Sequence, residues 1–133
     1  MGLQNCSILT GNTIAASGGT ARPLTVSGES VPNGIKLRDL SVTDLRIQPT
    51  LVLATTMPTV DGSGKYTGRF KSKVVYVEPF VQADGTMSFD VIRIERSVSP
   101  ERPAAAVAAM NNVGAQILFD TDFTAFFASG SVA

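Results

Sequence analysis

Lys65, Arg69, Lys71 and Lys73 place four cations within nine residues and no acid among them. On an extended strand Arg69, Lys71 and Lys73 share one side at about 7 Å intervals, close to the phosphate spacing of RNA. Such a row would grip a nucleic-acid backbone rather than read bases. The competing reading is a solvated edge strand whose lysines discourage aggregation. Arg46, Gln48 and Thr50 share a parity on the preceding segment. If the two segments pair, they flank the cation row and offer hydrogen bonds to base edges. Arg93 and Glu95 have the matching parity on a third segment, where a cross-strand surface ion pair is the alternative.

Other chemistry is poorly supplied. The chain has no histidine, which removes the commonest general base and metal ligand. Its one cysteine, Cys6, forms neither an intrachain disulfide nor a zinc-finger spacing, and reads as a small buried hydrophobe. No phosphate-binding glycine loop of the Walker type occurs, and the carboxylates are scattered. An enzyme is therefore not expected, nor is a metal or other cofactor.

Composition turns attention to association. Apolar residues make up 44% of the 133 residues and charged ones only 17%, which leaves a single copy short of polar surface. Formal charge is zero, yet residues 45–81 hold five cations against Asp61 and Glu78, while residues 100–133 set Arg102 against Glu101, Asp120 and Asp122. No signal-peptide pattern opens the chain, and no apolar run approaches the roughly 18 residues needed to span a bilayer. A protein made and used in the cytoplasm, without a membrane partner, is the expectation.

The elements that must position the cations follow from patterning. Residues 1–99 are rich in Gly, Thr and Val and read as strands, whereas residues 100–133 are Ala-rich and read as helices. Strands first and helices last predict one α+β domain over 1–133. Ser7–Leu9 and Arg22–Val26, with turns at Gly11-Asn12, Gly18-Gly19 and Asn33-Gly34, predict an N-terminal hairpin. From Asp44 onward Leu45, Ile47, Leu51 and Leu53 alternate with Arg46, Gln48 and Thr50, the period of a half-buried strand that Pro49 interrupts. Asp61, Gly62, Ser63 and Gly64 form a turn. A strand over about Tyr66 to Val81 is then followed through Asp84-Gly85 by a partner over Thr86 to Ser97.

Ser99 as cap, Pro100 at the first helical position and Glu101 in the first turn predict a helix whose apolar positions include Val107, Met110, Val113, Ile117 and Leu118. A second short helix, capped by Asp120 or Thr121, carries Phe123, Phe126 and Phe127 and ends before Gly130. Two such helices cannot cover the sheet alone. The economical solution is a dimer in which helices from each copy cross the other's sheet.

This order of elements resembles the coat proteins of single-stranded RNA phages, the levivirus group. The resemblance rests on length, the Asn33-Gly34 turn, the strand pair around Arg46–Thr56 and Arg69–Val81, the passage Ile92–Ser99 into Ser-Pro-Glu, and the ending Asp-Thr-Asp-Phe-Thr-Ala-Phe-Phe-Ala-Ser-Gly. It implies an N-terminal hairpin, an antiparallel sheet of about five strands, two C-terminal helices and an intertwined dimer. Many dimers would close into a quasi-equivalent icosahedral shell in the bacterial host cytoplasm and become the virion. The inner sheet face would hold an RNA hairpin as packaging signal and translational repressor, with Arg46, Gln48, Thr50, Arg69, Lys71 and Lys73 as its candidates. Val107, Met110, Ile117, Phe123, Phe126 and Phe127 would form the shared dimer core, and Asp61–Gly64 would meet other dimers around symmetry axes. The alternatives are a sheet-and-helix carrier of an apolar ligand, or a structural subunit of another phage assembly.

Overall fold

The computed structural model describes residues 6–11 and 18–130. The chain divides into two compact units, Thr20–Pro100 and a second that joins the N-terminal stretch to the helical region from Glu101 onward.

The first unit is an antiparallel sheet. Its strands are β1 (Thr25–Val26), β2 (Gly34–Arg38), β3 (Thr50–Thr56), β6 (Phe70–Val81) and β7 (Met87–Val98), in the order β1-β2-β3-β6-β7. A separate two-stranded arm, β4 (Thr59–Val60) with β5 (Tyr66–Thr67), interrupts the connection from β3 to β6. The expected single strand from Tyr66 is cut in two at Gly68, whose φ of 85° is left-handed and breaks the regular extended ladder. Gly34 is needed for a different reason. A Cβ there would lie 2.2 Å from the Leu53 carbonyl oxygen, so the chain leaves the Asn33 turn pressed against β3.

Register fixes two opposite sheet faces, since directly paired residues share a face. Val26, Leu37, Leu51, Tyr76 and Ile92 form one cross-strand row, and Ile35, Leu53, Val74 and Ile94 form the next. The other face carries Lys36, Arg38, Thr50, Lys71, Lys73, Arg93 and Glu95. Tyr76 thus lies opposite the lysines, as its parity requires.

Two further expectations about the strands need correction. Leu45–Ile47 is a 3-10 turn rather than part of the strand. The Asp44 side chain accepts from the Arg46 backbone N–H at 3.0 Å, and Pro49 has no N–H for a ladder, so β3 begins only at Thr50. The N-terminal hairpin is formed by β1 and β2, and Ser7–Leu9 is not a strand. The Leu9 N–H donates to Gln116 Oε1 at 2.9 Å, and Gln116 Nε2 donates to the Leu9 carbonyl at 2.8 Å, which removes both groups from any ladder. Asn12 of the expected Gly11-Asn12 turn lies outside the described residues.

In the second unit α1 spans Ala104–Phe119 and α2 spans Thr124–Ser129. The helix starts later than Ser99-Pro100-Glu101 predicts. Pro103 disfavours a helical conformation at Arg102, and its own ψ of 142° leaves it outside the helix as the cap. Gly114 is absorbed within α1, and Gly130, at φ 71°, terminates α2 as predicted.

Neither unit has a sufficient core of its own. Among the described residues Val98, at 6% exposure, and Pro49 are the only buried apolar side chains. Helix α1 has no charged residue, and its apolar side chains surround it: exposed Phe119 lies on the side opposite Met110 and Ile117.

The most buried side chain is polar. Asp39 is fully enclosed, ion-paired to Arg22 and accepting the Ser41 N–H at 3.0 Å. The Ser41 hydroxyl and the Arg22 guanidinium hold its carboxyl below the usual carboxylate range. A lowered folded value contributes stability above the unfolded value, near 4, and that stability is lost as pH falls through the folded value. Asp39→Asn is therefore expected to lower the thermal midpoint at pH 7, with the gap to the native chain narrowing toward pH 3. An equal gap at both pH values would assign the effect to shape rather than charge.

Candidate nucleic-acid interface

The charged face of the sheet is built from alternate residues of β2, β3, β6 and β7. Thr56, Lys71 and Ser97 form one cross-strand row, and Ala54, Lys73 and Glu95 the next. Lys36, Val52, Val75 and Arg93 make a third, followed by Arg38, Thr50, Val77 and Val91. Small side chains at Ala54, Val52 and Val75 leave the floor low between the cations. A concavity lined by Thr56, Lys71, Lys73, Glu95 and Ser97 opens at one end.

These cations differ in how far they are already satisfied. Lys36 and Arg38 both bind Glu29, Arg38 at 2.7 Å, and they hold that carboxyl below its ordinary value, with the Lys36 contact the larger cause. Lys71 and Lys73 make no ion pair among the described residues. They are exposed, on one face, and two strand positions apart, so their charge remains available to an anionic chain. Arg69 precedes β6, and its guanidinium is held on Ser97, through Oγ at 2.8 Å and the carbonyl at 3.3 Å. It lies beside the lysines, already oriented.

The three candidates on the preceding segment separate. Thr50 sits on β3 on the charged face, directly opposite Arg38 and Val77. Arg46 and Gln48 do not join it, because the 3-10 turn and Pro49 take them off the strand. Arg46 is paired to Asp44 at 2.8 Å, and that contact holds the Asp44 carboxyl below its usual range. Gln48 is buried at 4% exposure and donates to the Val42 carbonyl at 2.8 Å, which suits a loop anchor. Lys36 and Arg38 are the residues that sequence reasoning missed. Their signal was the alternation Ile35-Lys36-Leu37-Arg38, a short half-buried strand placed beside Thr50 by the hairpin.

No family model and no curated protein matches the chain by sequence. Among solved structures, the virus-like particle of bacteriophage GQ-907 is similar along the whole length: 31% identity over 98% of each chain, with a TM-score of 0.86. The chain belongs to the RNA phage coat proteins. A capsid subunit of the virion is thereby its role at the coarse level. As a coat protein it has no helix among the described residues long and apolar enough to cross a membrane, and no cluster there of three or more metal-ligating side chains. Its two sheet faces suit a shell subunit, one greasy and the other carrying unpaired lysines.

Proposed function

We propose that this coat protein dimerises, closes with other dimers into an icosahedral shell, and holds single-stranded RNA on the charged face of its sheet without enzymatic activity. The observation that carries this reading is the division of the sheet, with Lys36, Arg38, Lys71, Lys73 and Arg93 on one face and unburied Ile92 and Ile94, beside Arg96, on the other, in a chain whose single copy buries almost no apolar side chain among the described residues. Full burial of each large aliphatic or aromatic side chain is worth about 1.5–3 kcal/mol, so association has a large reservoir to draw on. The free edge of β7 supports sheet-to-sheet joining, because a long open edge is a template for another strand.

In this dimer the helices of each copy lie across the partner's sheet. Val107, Met110, Ile117, Phe123, Phe126 and Phe127 enter the shared core, joined by Leu118 and Phe119, whose exposure in one copy is 50% and 78%. The rings of Phe126 and Phe127 already meet edge to face at 5.3 Å. Lys71 and Lys73 hold RNA phosphates, with Arg69 beside them and Thr50 farther along the same face, opposite Val77, and an RNA hairpin bound there serves as packaging signal and translational repressor. The turn Asp61–Gly64 meets neighbouring dimers. Its own hydrogen bonds stiffen it for such contacts, since the Asp61 carboxylate accepts the N–H groups of Ser63 at 2.9 Å and Lys65 at 3.0 Å.

Expression in bacteria tests the reading. Particles seen by electron microscopy, with nuclease-protected host RNA inside, are the expected result. A free monomer or dimer carrying bound lipid would favour an apolar-ligand carrier instead.

A further inference from the structure

Lys36 and Arg38 stand two positions apart on β2, on the same face as Lys71 and Lys73, and one carboxylate bridges them. Glu29 Oε1 accepts from Arg38 Nη2 at 2.7 Å, and Glu29 Oε2 is ion-paired to Lys36 Nζ. Glu29 does not belong to the sheet. It lies in the connection between β1 and β2, where its N–H donates to Ser27 Oγ at 3.2 Å and the Ser27 N–H donates to the Lys36 carbonyl at 3.0 Å. The loop is thus moored on the strand whose two cations it covers.

A carboxylate set between two cations on such a face has the form of a bound phosphodiester, with one anionic oxygen on an ammonium and the other on a guanidinium. Glu29 keeps close to half of its side-chain exposure and each cation a quarter. Water and salt therefore reach the contact, and ion pairs of this kind are weakly held. Lys36 lies two strands over from Lys73 and one step further along the same face, about 12 Å away between Cα positions, a gap that a continuous RNA strand bridges. We propose that Lys36 and Arg38 form a second RNA-phosphate subsite, kept closed by the Glu29 carboxylate standing in the phosphate's place.

The subsite rests on the RNA-binding reading above and adds to it a control of affinity. While the carboxylate is seated, the face grips RNA through Lys71, Lys73 and their neighbours. When it swings away, two further cations join them. Competition from within the chain weakens binding of any RNA, because phosphates carry no sequence, and so retention depends on the contacts made elsewhere on the face. Glu95 supplies the contrast. It is the acid that the strands themselves place on this face, exposed and without an ion pair or hydrogen bond among the described residues. Neutralising it changes the field of the face by the same single charge and frees no particular cation.

Filter binding of a short single-stranded RNA to the unassembled protein at 0.1 M salt tests the subsite. Each newly engaged phosphate is worth about 5-fold there, so Glu29→Gln is expected to bind about 5-fold to 25-fold more tightly, as one or both cations engage. Glu29→Ala is a second route to the same gain, because a glutamine carbonyl can still accept from Arg38. Adding Lys36→Ala and Arg38→Ala to either variant should return affinity to that of the native chain, since the closed subsite contributes nothing there. Glu95→Gln should gain less, and should keep its gain when those two alanines are present. No gain from either Glu29 variant overturns the subsite. An equal gain from Glu95→Gln, or a gain that survives loss of Lys36 and Arg38, reduces Glu29 to a general charge effect and overturns it too. A combined variant that binds well below the native chain shows that the two cations already serve RNA, and overturns the closure. If Lys71→Ala with Lys73→Ala leaves binding unchanged, the RNA reading itself fails, a result separate from all of these.

Discussion

Leu118→Asp is expected to abolish particles and dimers together. In one copy Leu118 is 50% exposed, so in a chain that lived as a monomer the substitution would sit within about 0.5 kcal/mol of neutral. In the proposed dimer the same side chain would enter the shared core, where an unpaired buried carboxylate costs about 3–5 kcal/mol, counted twice per dimer by symmetry. The contrast between near-neutral and disabling gives the test its force. Size-exclusion chromatography checks it: loss of the particle peak supports burial of Leu118 between copies, and an unchanged particle yield shows that Leu118 stays in water.

The second large effect belongs to the lysines. Each phosphate contact on single-stranded nucleic acid contributes about 0.7 to the logarithmic salt slope, so Lys71→Ala with Lys73→Ala is expected to flatten that slope by about 1.4. At 0.1 M salt the same change corresponds to about 25-fold weaker RNA binding. Neither lysine contacts the apolar face, and dimers should therefore survive. Filter binding of a short RNA to the disassembled dimer at several salt concentrations measures the slope. An unaltered slope would return both residues to the role of solvated surface charge.

Parity carried much of this architecture from sequence to structure. Leu51 and Leu53 on one face, Lys71 and Lys73 on the other, and Tyr76 opposite the lysines all follow from the two-residue period, which a strand enforces once its register is set. The same period misled at Leu45 and Ile47. Their alternation matches a strand, but Leu45 is 75% exposed, and the turn is decided by the Asp44 cap and by Pro49. Hydrophobic pattern reports burial, whereas capping chemistry acts locally and wins where little is buried.

Proline governed the other shift. Ser99-Pro100-Glu101 has the chemistry of a helix start, yet Pro103 forces its predecessor out of the helical region, and α1 begins at Ala104. Asp39 and Gln116 were not legible at all. Both are polar residues buried by tertiary partners, Arg22 with Ser41 for one and the Leu9 backbone for the other. Nothing in the local spacing announces such a partner. At the candidate site, Lys71, Lys73 and Thr50 come together on one face because pairing of β3 with β6 obeys parity, while Arg46 and Gln48 depart with the turn.

A chain that buries so little alone should fold and associate in one event. Native mass spectrometry along a dilution series from the micromolar range, read alongside circular dichroism, follows both processes at once and needs no substitution. The smallest folded species is expected to be a dimer, with structure lost as the dimer dissociates. A folded species at 13.9 kDa that persists on dilution would contradict that coupling.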